Sequence, residues 1–199
     1  MPAGTLTAFS LRMECNVSNK ILRVLLVGAL AAGAGLAIAR PAQAVPIPPV
    51  VVIQSDASGL CVAASGTDNG SPVVQARCDF TSNAQRWTQI YLGGTYELLQ
   101  NLASVSTYPY VPMCLDVTDG GSANGTKLQV WECTNTPGMS WRFVDAYHGD
   151  GAYPLNVHTK IGPKCLDVPA GTVVEGVQLQ IYTCTTRTMN PAQLWAALS

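Results

Sequence analysis

Charge is scarce in this sequence: Asp, Glu, Lys and Arg make up 12% of 199 residues, about half the usual share. With a formal net charge of −1, the chain lacks the basic footprint that holds nucleic acid. Histidine is scarcer still, with His148 and His158 the only two. There is no His-x-x-x-His pair, no Gly-x-Ser-x-Gly elbow, no phosphate-cradling glycine loop and no C-x-x-C knuckle. Asp145 and Asp150 flank a Tyr-His-Gly turn and could pair for glycoside hydrolysis, but nothing else in the sequence supports an enzyme. The expectation is a non-catalytic protein with no cofactor and no metal. No stretch carries a 3.6-residue period over three turns after the first fifty residues, which excludes a helical bundle. Gly 18 and Pro 13 point instead to many turns.

What is present begins at residue 24. The run 24–39, VLLVGALAAGAGLAIA, follows Lys20 and Arg23 and precedes Ala42-Gln43-Ala44. A basic flank, an apolar centre and small residues at the A-x-A positions make a secretory signal peptide over 1–44. Its sixteen apolar residues are short for a membrane anchor, which needs about twenty. Met13 offers an alternative start. The expected product is secreted, extracellular and not inserted in a membrane. Loss of Arg12, Glu14, Lys20, Arg23 and Arg40 would leave 7 basic and 11 acidic side chains, net −4. Residues 45–49, Val-Pro-Ile-Pro-Pro, form a stiff leader that cannot pair in a sheet. The folded domain is expected over 50–199.

Removing Cys15 with the signal leaves six cysteines, an even count that reads as a disulfide framework in an exported chain. They fall in pairs, 61/78, 114/133 and 165/184, separated by 17, 19 and 19 residues. Each pair is followed by a tryptophan, and Trp87, Trp141 and Trp195 stand 54 residues apart. Gly70, Gly125 and Gly176 each lie eight residues before the second cysteine. This is a threefold repeat of about fifty residues. Runs such as 127–131, KLQVW, and 177–182, VQLQIY, alternate with period two, and Asn69-Gly70 and Asn124-Gly125 are turn dipeptides. Four short strands fit each repeat, about twelve in all, closed around a pseudo-threefold axis so that three small apolar faces share one core. Repeat symmetry selects the local pairings Cys61–Cys78, Cys114–Cys133 and Cys165–Cys184, each contributing about 3 kcal/mol by constraining the unfolded chain.

The motifs Cys-Leu-Asp-Val at 114–117 and 165–168, Leu-Gln-x-aromatic-x-Cys at 128–133 and 179–184, and Gln85-Arg86-Trp87 and Gln193-Leu194-Trp195 closely resemble the ricin B-chain-type lectin repeat. That resemblance implies an all-β β-trefoil over residues 50–199 that binds sugars or polysaccharides, with galactose- or xylose-type units among the candidates. It also implies which residues do so. A saccharide offers C–H patches to an aromatic face and hydroxyls to a carboxylate and an amide. In the third repeat these are Asp167, Gln180 and Tyr182, with Gln193 bracing the Asp and Asn190 a more distant amide. In the second they are Asp116, Gln129 and Trp131, with Asn135 as a partner and Met139 where the bracing amide belongs. The first repeat has Ala63, Val74 and Ala76 at these positions and reads as structural.

Local alternatives stand beside these assignments. Asp116 and Asp167 are residues that Asx turns favour, and Trp131 and Tyr182 are of a type common as half-buried strand residues. The three Q-x-W tryptophans read as core, since Trp87 persists in the repeat that lost its site. The whole-chain alternative is a protein-binding trefoil, an inhibitor or adhesion factor. The expected state is a monomer whose partners are glycans.

Overall fold

The computed structural model describes residues 49–106, 108–146, 154–185 and 190–199. The signal segment, the leader before Pro49, His148 and the Asp145–Asp150 pairing lie outside the described residues.

Twelve strands arise from the three repeats. The first supplies β1 (Val50–Ser55), β2 (Cys61–Ala64), β3 (Val73–Ala76) and β4 (Arg86–Tyr91). The second supplies β5 (Glu97–Asn101), β6 (Met113–Val117), β7 (Leu128–Glu132) and β8 (Trp141–Asp145). The third supplies β9 (Leu155–Thr159), β10 (Lys164–Asp167), β11 (Gln180–Thr183) and β12 (Trp195–Leu198). Among the described residues the helical elements are 3-10 turns of three or four residues.

Six strands close a barrel by antiparallel pairing in the cycle β1–β4–β5–β8–β9–β12–β1. The remaining six form three hairpins, β2–β3, β6–β7 and β10–β11. The disulfides are Cys61–Cys78, Cys114–Cys133 and Cys165–Cys184, the local set that repeat symmetry selects. The fold is the β-trefoil that the spacing and the resemblance imply.

The core shows why the repeat is spaced as it is. Trp87, Trp141 and Trp195 are all fully buried, and each indole N–H donates to the carbonyl two or one residues past the first cysteine's strand start: Val62, Leu115 and Leu166, at 3.1, 2.9 and 3.2 Å. Each tryptophan thereby fills the centre and spends its one polar group inside its own repeat. Around them pack Val62, Leu115 and Leu166, and Val73, Leu128 and Leu179, one of each set per repeat.

The hairpins interlock in a ring. Gly70, Gly125 and Gly176 have φ of 86°, 88° and 82°, a region open to glycine because it lacks Cβ. Their N–H groups donate onto the following repeat's strand, to Val130, Ile181 and Gln75, at 2.9, 2.9 and 2.8 Å. The residue before each glycine reaches the same neighbour by its side chain. Asn69 accepts from the Glu132 N–H, Asn124 from the Thr183 N–H and Glu175 from the Arg77 N–H.

Gln75 stands where the other repeats place Val130 and Ile181. It is fully buried, donates to the carbonyls of Thr172 and Val174 at 2.9 and 2.8 Å, and accepts from Ser58 Oγ at 3.0 Å. Complete pairing is what makes a buried amide tolerable there.

Candidate functional site

The cap hairpins set the site register. Asp116 lies opposite Gln129, and Asp167 opposite Gln180. In the first repeat Ala63 faces Val74, so the polar pair is replaced by two apolar residues in the same frame. The alternation of strand side chains then puts Trp131, Tyr182 and Ala76 on the amide's face, two residues along.

The carboxylates are strand residues, not Asx-turn residues. Gln180 Nε2 donates to Asp167 Oδ1 at 2.8 Å, and Gln193 Nε2 to Asp167 Oδ2 at 3.1 Å. Gln193 is fully buried, so it acts through the carboxylate. Its Oε1 accepts from the N–H and hydroxyl of Thr185, both at 3.0 Å, and its Nε2 also donates to the Thr183 carbonyl at 3.1 Å. Gln180 is oriented from its other end by Lys127 Nζ, 3.3 Å from Oε1.

The second repeat is held differently. Gln129 Nε2 donates to Asp116 Oδ2 at 2.9 Å. Met139 replaces the brace, and its sulfur accepts from the Thr134 N–H at 3.4 Å. The thioether thus copies the acceptor half of the glutamine and has no donor half to offer Asp116. The other oxygen, Oδ1, faces Gly138, where an added Cβ would come within 2.9 Å of it.

Both carboxylates are more enclosed than a surface pocket implies, at 7% exposure for Asp116 and 4% for Asp167. The turns Pro137–Met139 and Pro191–Gln193 contribute walls beside them. Burial pushes both carboxyls above their ordinary value. Amide hydrogen bonds partly offset this, from Gln129 at one site and from Gln180 and Gln193 at the other. Asp119 raises Asp116 further, whereas Lys127 lowers Asp167.

The aromatics are not half-buried core. Trp131 is 41% exposed and Tyr182 44%, each lining a cleft with its carboxylate and amide, of about 390 Å³ in the second repeat and about 430 Å³ in the third. Asn190 lines the third-repeat cleft, but its side chain accepts from the Ala192 N–H at 3.2 Å and caps the 3-10 turn. Asn135 does not line the second-repeat cleft. It has a left-handed backbone, φ 55°, and its neighbours Thr134 and Thr136 line the cleft instead.

Three contributors escape a repeat-by-repeat reading. Asp119 lines the second cleft as an added carboxylate. Its counterpart Ala170 lines the third, and the two share a left-handed φ of 54° and 53°. The Asp three residues beyond Asp116 was the available signal. Ile161 and Ala57 close the second and third clefts, and each comes from the beginning of the next repeat around the ring.

Among protein families, the ricin-type beta-trefoil lectin domain matches residues 49–149, more than half of the chain. The chain belongs to this family. Carbohydrate binding is the family's general activity. The matched segment ends before the third repeat, whose hairpin nevertheless keeps the register and disulfide of the second. No curated protein matches the sequence. Solved structures do. A designed threefold-symmetric protein, ThreeFoil, aligns with TM-score 0.64 and 20% identity over 75% of this chain and 98% of its own. An exo-β-1,3-galactanase from Clostridium thermocellum aligns with TM-score 0.65 and 23% identity, over 77% of this chain and 31% of the enzyme's. A ricin B-like lectin from Macrolepiota procera, solved with lactose, aligns with TM-score 0.59 and 16% identity over 78% of this chain and 98% of the lectin. These superpositions show a common trefoil fold.

Proposed function

We propose that this chain is a secreted, non-catalytic lectin that binds glycans or polysaccharides through two shallow clefts, one in the second repeat and one in the third. The contrast between repeats carries this reading. A buried carboxylate, its opposed amide and an exposed aromatic occur together in two repeats and are all absent from the first, which keeps the disulfide, the tryptophan and the turn. If the trio served folding alone, the first repeat would need it too. Galactose- or xylose-type units fit a site made of one carboxylate, one amide and one flat face. The lactose bound by the Macrolepiota lectin favours the first of these.

Single contacts of this size are weak, roughly millimolar to micromolar, and rise on polymeric glycans through effective concentration. A glycan array identifies the sugar class. Calorimetry with a neutral monosaccharide should then give at most two bound per chain, one for each cleft. Three equivalent sites would contradict the loss assigned to the first repeat. A folded protein that binds nothing on the array would favour the protein-binding reading.

Acid should separate binding from folding. The carboxylates accept sugar hydroxyls in their charged form, and burial raises both pKa values. Binding should therefore fade at a higher pH than an ordinary Asp, near 4, would allow. Stability runs the other way. A carboxyl that holds its proton more tightly when folded contributes stability below its unfolded pKa, and this is lost as pH rises through the raised folded value. Sugar titrations at descending pH, with near-UV circular dichroism alongside, should show affinity falling while the fold persists. Affinity unchanged until the protein unfolds would refute the assignment of the two carboxylates.

A further inference from the structure

The barrel carries a second version of the same chemistry outside the cap hairpins. On β4, Gln89 and Tyr91 lie two residues apart on one face, as Gln129 and Trp131 do on β7. Gln89 Nε2 donates to Glu97 Oε1 on β5 at 3.0 Å. Tyr91 is 71% exposed, far more than a strand aromatic needs for packing. These three residues line a cleft of about 270 Å³ together with Tyr96, Arg142 and Phe143. Burial pushes the Glu97 carboxyl above its ordinary value, and the Gln89 amide offsets only part of that.

What differs from the cap sites is a pair of cations on an aromatic ring beside this trio. The Arg142 guanidinium lies 5.5 Å from the centre of the Tyr96 ring, and Lys160 Nζ lies 5.8 Å from it. Two cations thus share one aromatic ring. Arg142 Nε is buried and has no hydrogen-bond partner. An unpaired buried donor is costly, and more so when it belongs to a charged group. A planar carboxylate is the acceptor a guanidinium matches best.

We propose that this cleft binds a saccharide unit bearing a carboxylate, a uronic acid within an acidic glycan. Its carboxylate is received by Arg142, with Lys160 adding charge. Its hydroxyls meet Glu97 and Gln89, and its C–H face lies on Tyr91. The proposal extends the reading of the chain as a glycan binder and rests on it for the ligand class, but it uses none of the cap residues.

The test uses the full chain with Asp116→Ala and Asp167→Ala combined, which silences the cap clefts. Oligogalacturonate, titrated by calorimetry at low salt, should bind this variant within about threefold of the parent and should weaken as salt is added. Adding Tyr91→Ala, or Lys160→Gln, or Arg142→Gln should each cut that affinity, by tenfold or more for Tyr91 and Arg142. Tyr91 and Lys160 lie outside the buried core, so two of the three variants keep the test decisive should Arg142→Gln fail to fold. Oligogalacturonate binding that vanishes with the cap variants, or that ignores Tyr91→Ala and Lys160→Gln, would overturn the proposal. A parent protein that binds neutral glycans but not oligogalacturonate would overturn it and leave the cap-site reading standing. Tyr91-dependent oligogalacturonate binding with no neutral-glycan binding would support it and sink the cap-site reading.

Discussion

Asp167→Ala should remove most neutral-glycan binding and leave the fold intact. Both oxygens of this carboxylate are held by amides, and Gln193, which holds one of them, is itself fixed by Thr183 and Thr185. The acceptor is therefore in place before a sugar arrives, and little ordering is charged against binding. Loss of a charged acceptor should cost about 1.5–3 kcal/mol, roughly ten- to hundredfold in affinity. Folding should survive because Ala63 already occupies the equivalent position, and because Gln193 Nε2 keeps its bond to the Thr183 carbonyl. Asp116→Ala should do less. That carboxylate has one amide donor, and the thioether of Met139 gives it none, so the second cleft must order its acceptor on binding. Its loss should lower affinity for multivalent glycan and change little for a monosaccharide. Calorimetry on the two variants, with circular dichroism for folding, decides. If Asp116→Ala proves the more damaging, bracing is not what ranks the clefts, and the larger stacking face of Trp131 or the extra carboxylate of Asp119 is.

Trp141→Ala should have the opposite profile, with a large loss of stability before any question of binding arises. Truncating a fully buried tryptophan costs about 3–5 kcal/mol through lost transfer energy and the cavity left behind. Here it also strips the Leu115 carbonyl of its indole donor. Such a sum is a large part of the 5–15 kcal/mol that holds an ordinary domain together. Urea unfolding should show the midpoint displaced by most of its range, or no folded baseline at all. A loss below about 1 kcal/mol would mean that the three tryptophans do not form one shared core.

Much of the architecture is legible because it is written three times. Cysteine, glycine and tryptophan spacings recur in register, and a repeated pattern separates frame from proposed site: what survives in the first repeat is frame, and what is missing there is what the proposal assigns to sugar binding. Asp116, Asp167 and their opposed glutamines could be read in this way. The walls could not. Ile161 and Ala57 reach their clefts only when the ring closes, so no inspection within one repeat finds them. Met139 reads as an absent brace, and only the geometry shows its sulfur taking over the acceptor half of the glutamine. Asn135 is named by the resemblance, which places an amide near the Q-x-W, whereas its backbone is left-handed and the threonines on either side line the cleft. Gln75 fills a core position because the third repeat's loop brings the carbonyls of Thr172 and Val174 to it, a partnership between repeats that the first repeat's own sequence does not display.

The interlocked turns make the domain a directed circle. The first hairpin reaches onto the second, the second onto the third, and the third back onto the first through Gly176 and Glu175. The barrel closes in the same sense, since β1 pairs with β12, with Val52 beside Leu198. The cyclic order of neighbours is thus the same wherever in the ring the chain ends fall, although the sequence separation of the contacts is not. Absence of the carboxylate, amide and aromatic trio from the first repeat then has a positional meaning. Ala57, in the first repeat, lines the cleft of the third, so the first repeat still shapes a site it does not itself carry. A repeat without the trio thus still serves as wall to the repeat before it around the ring.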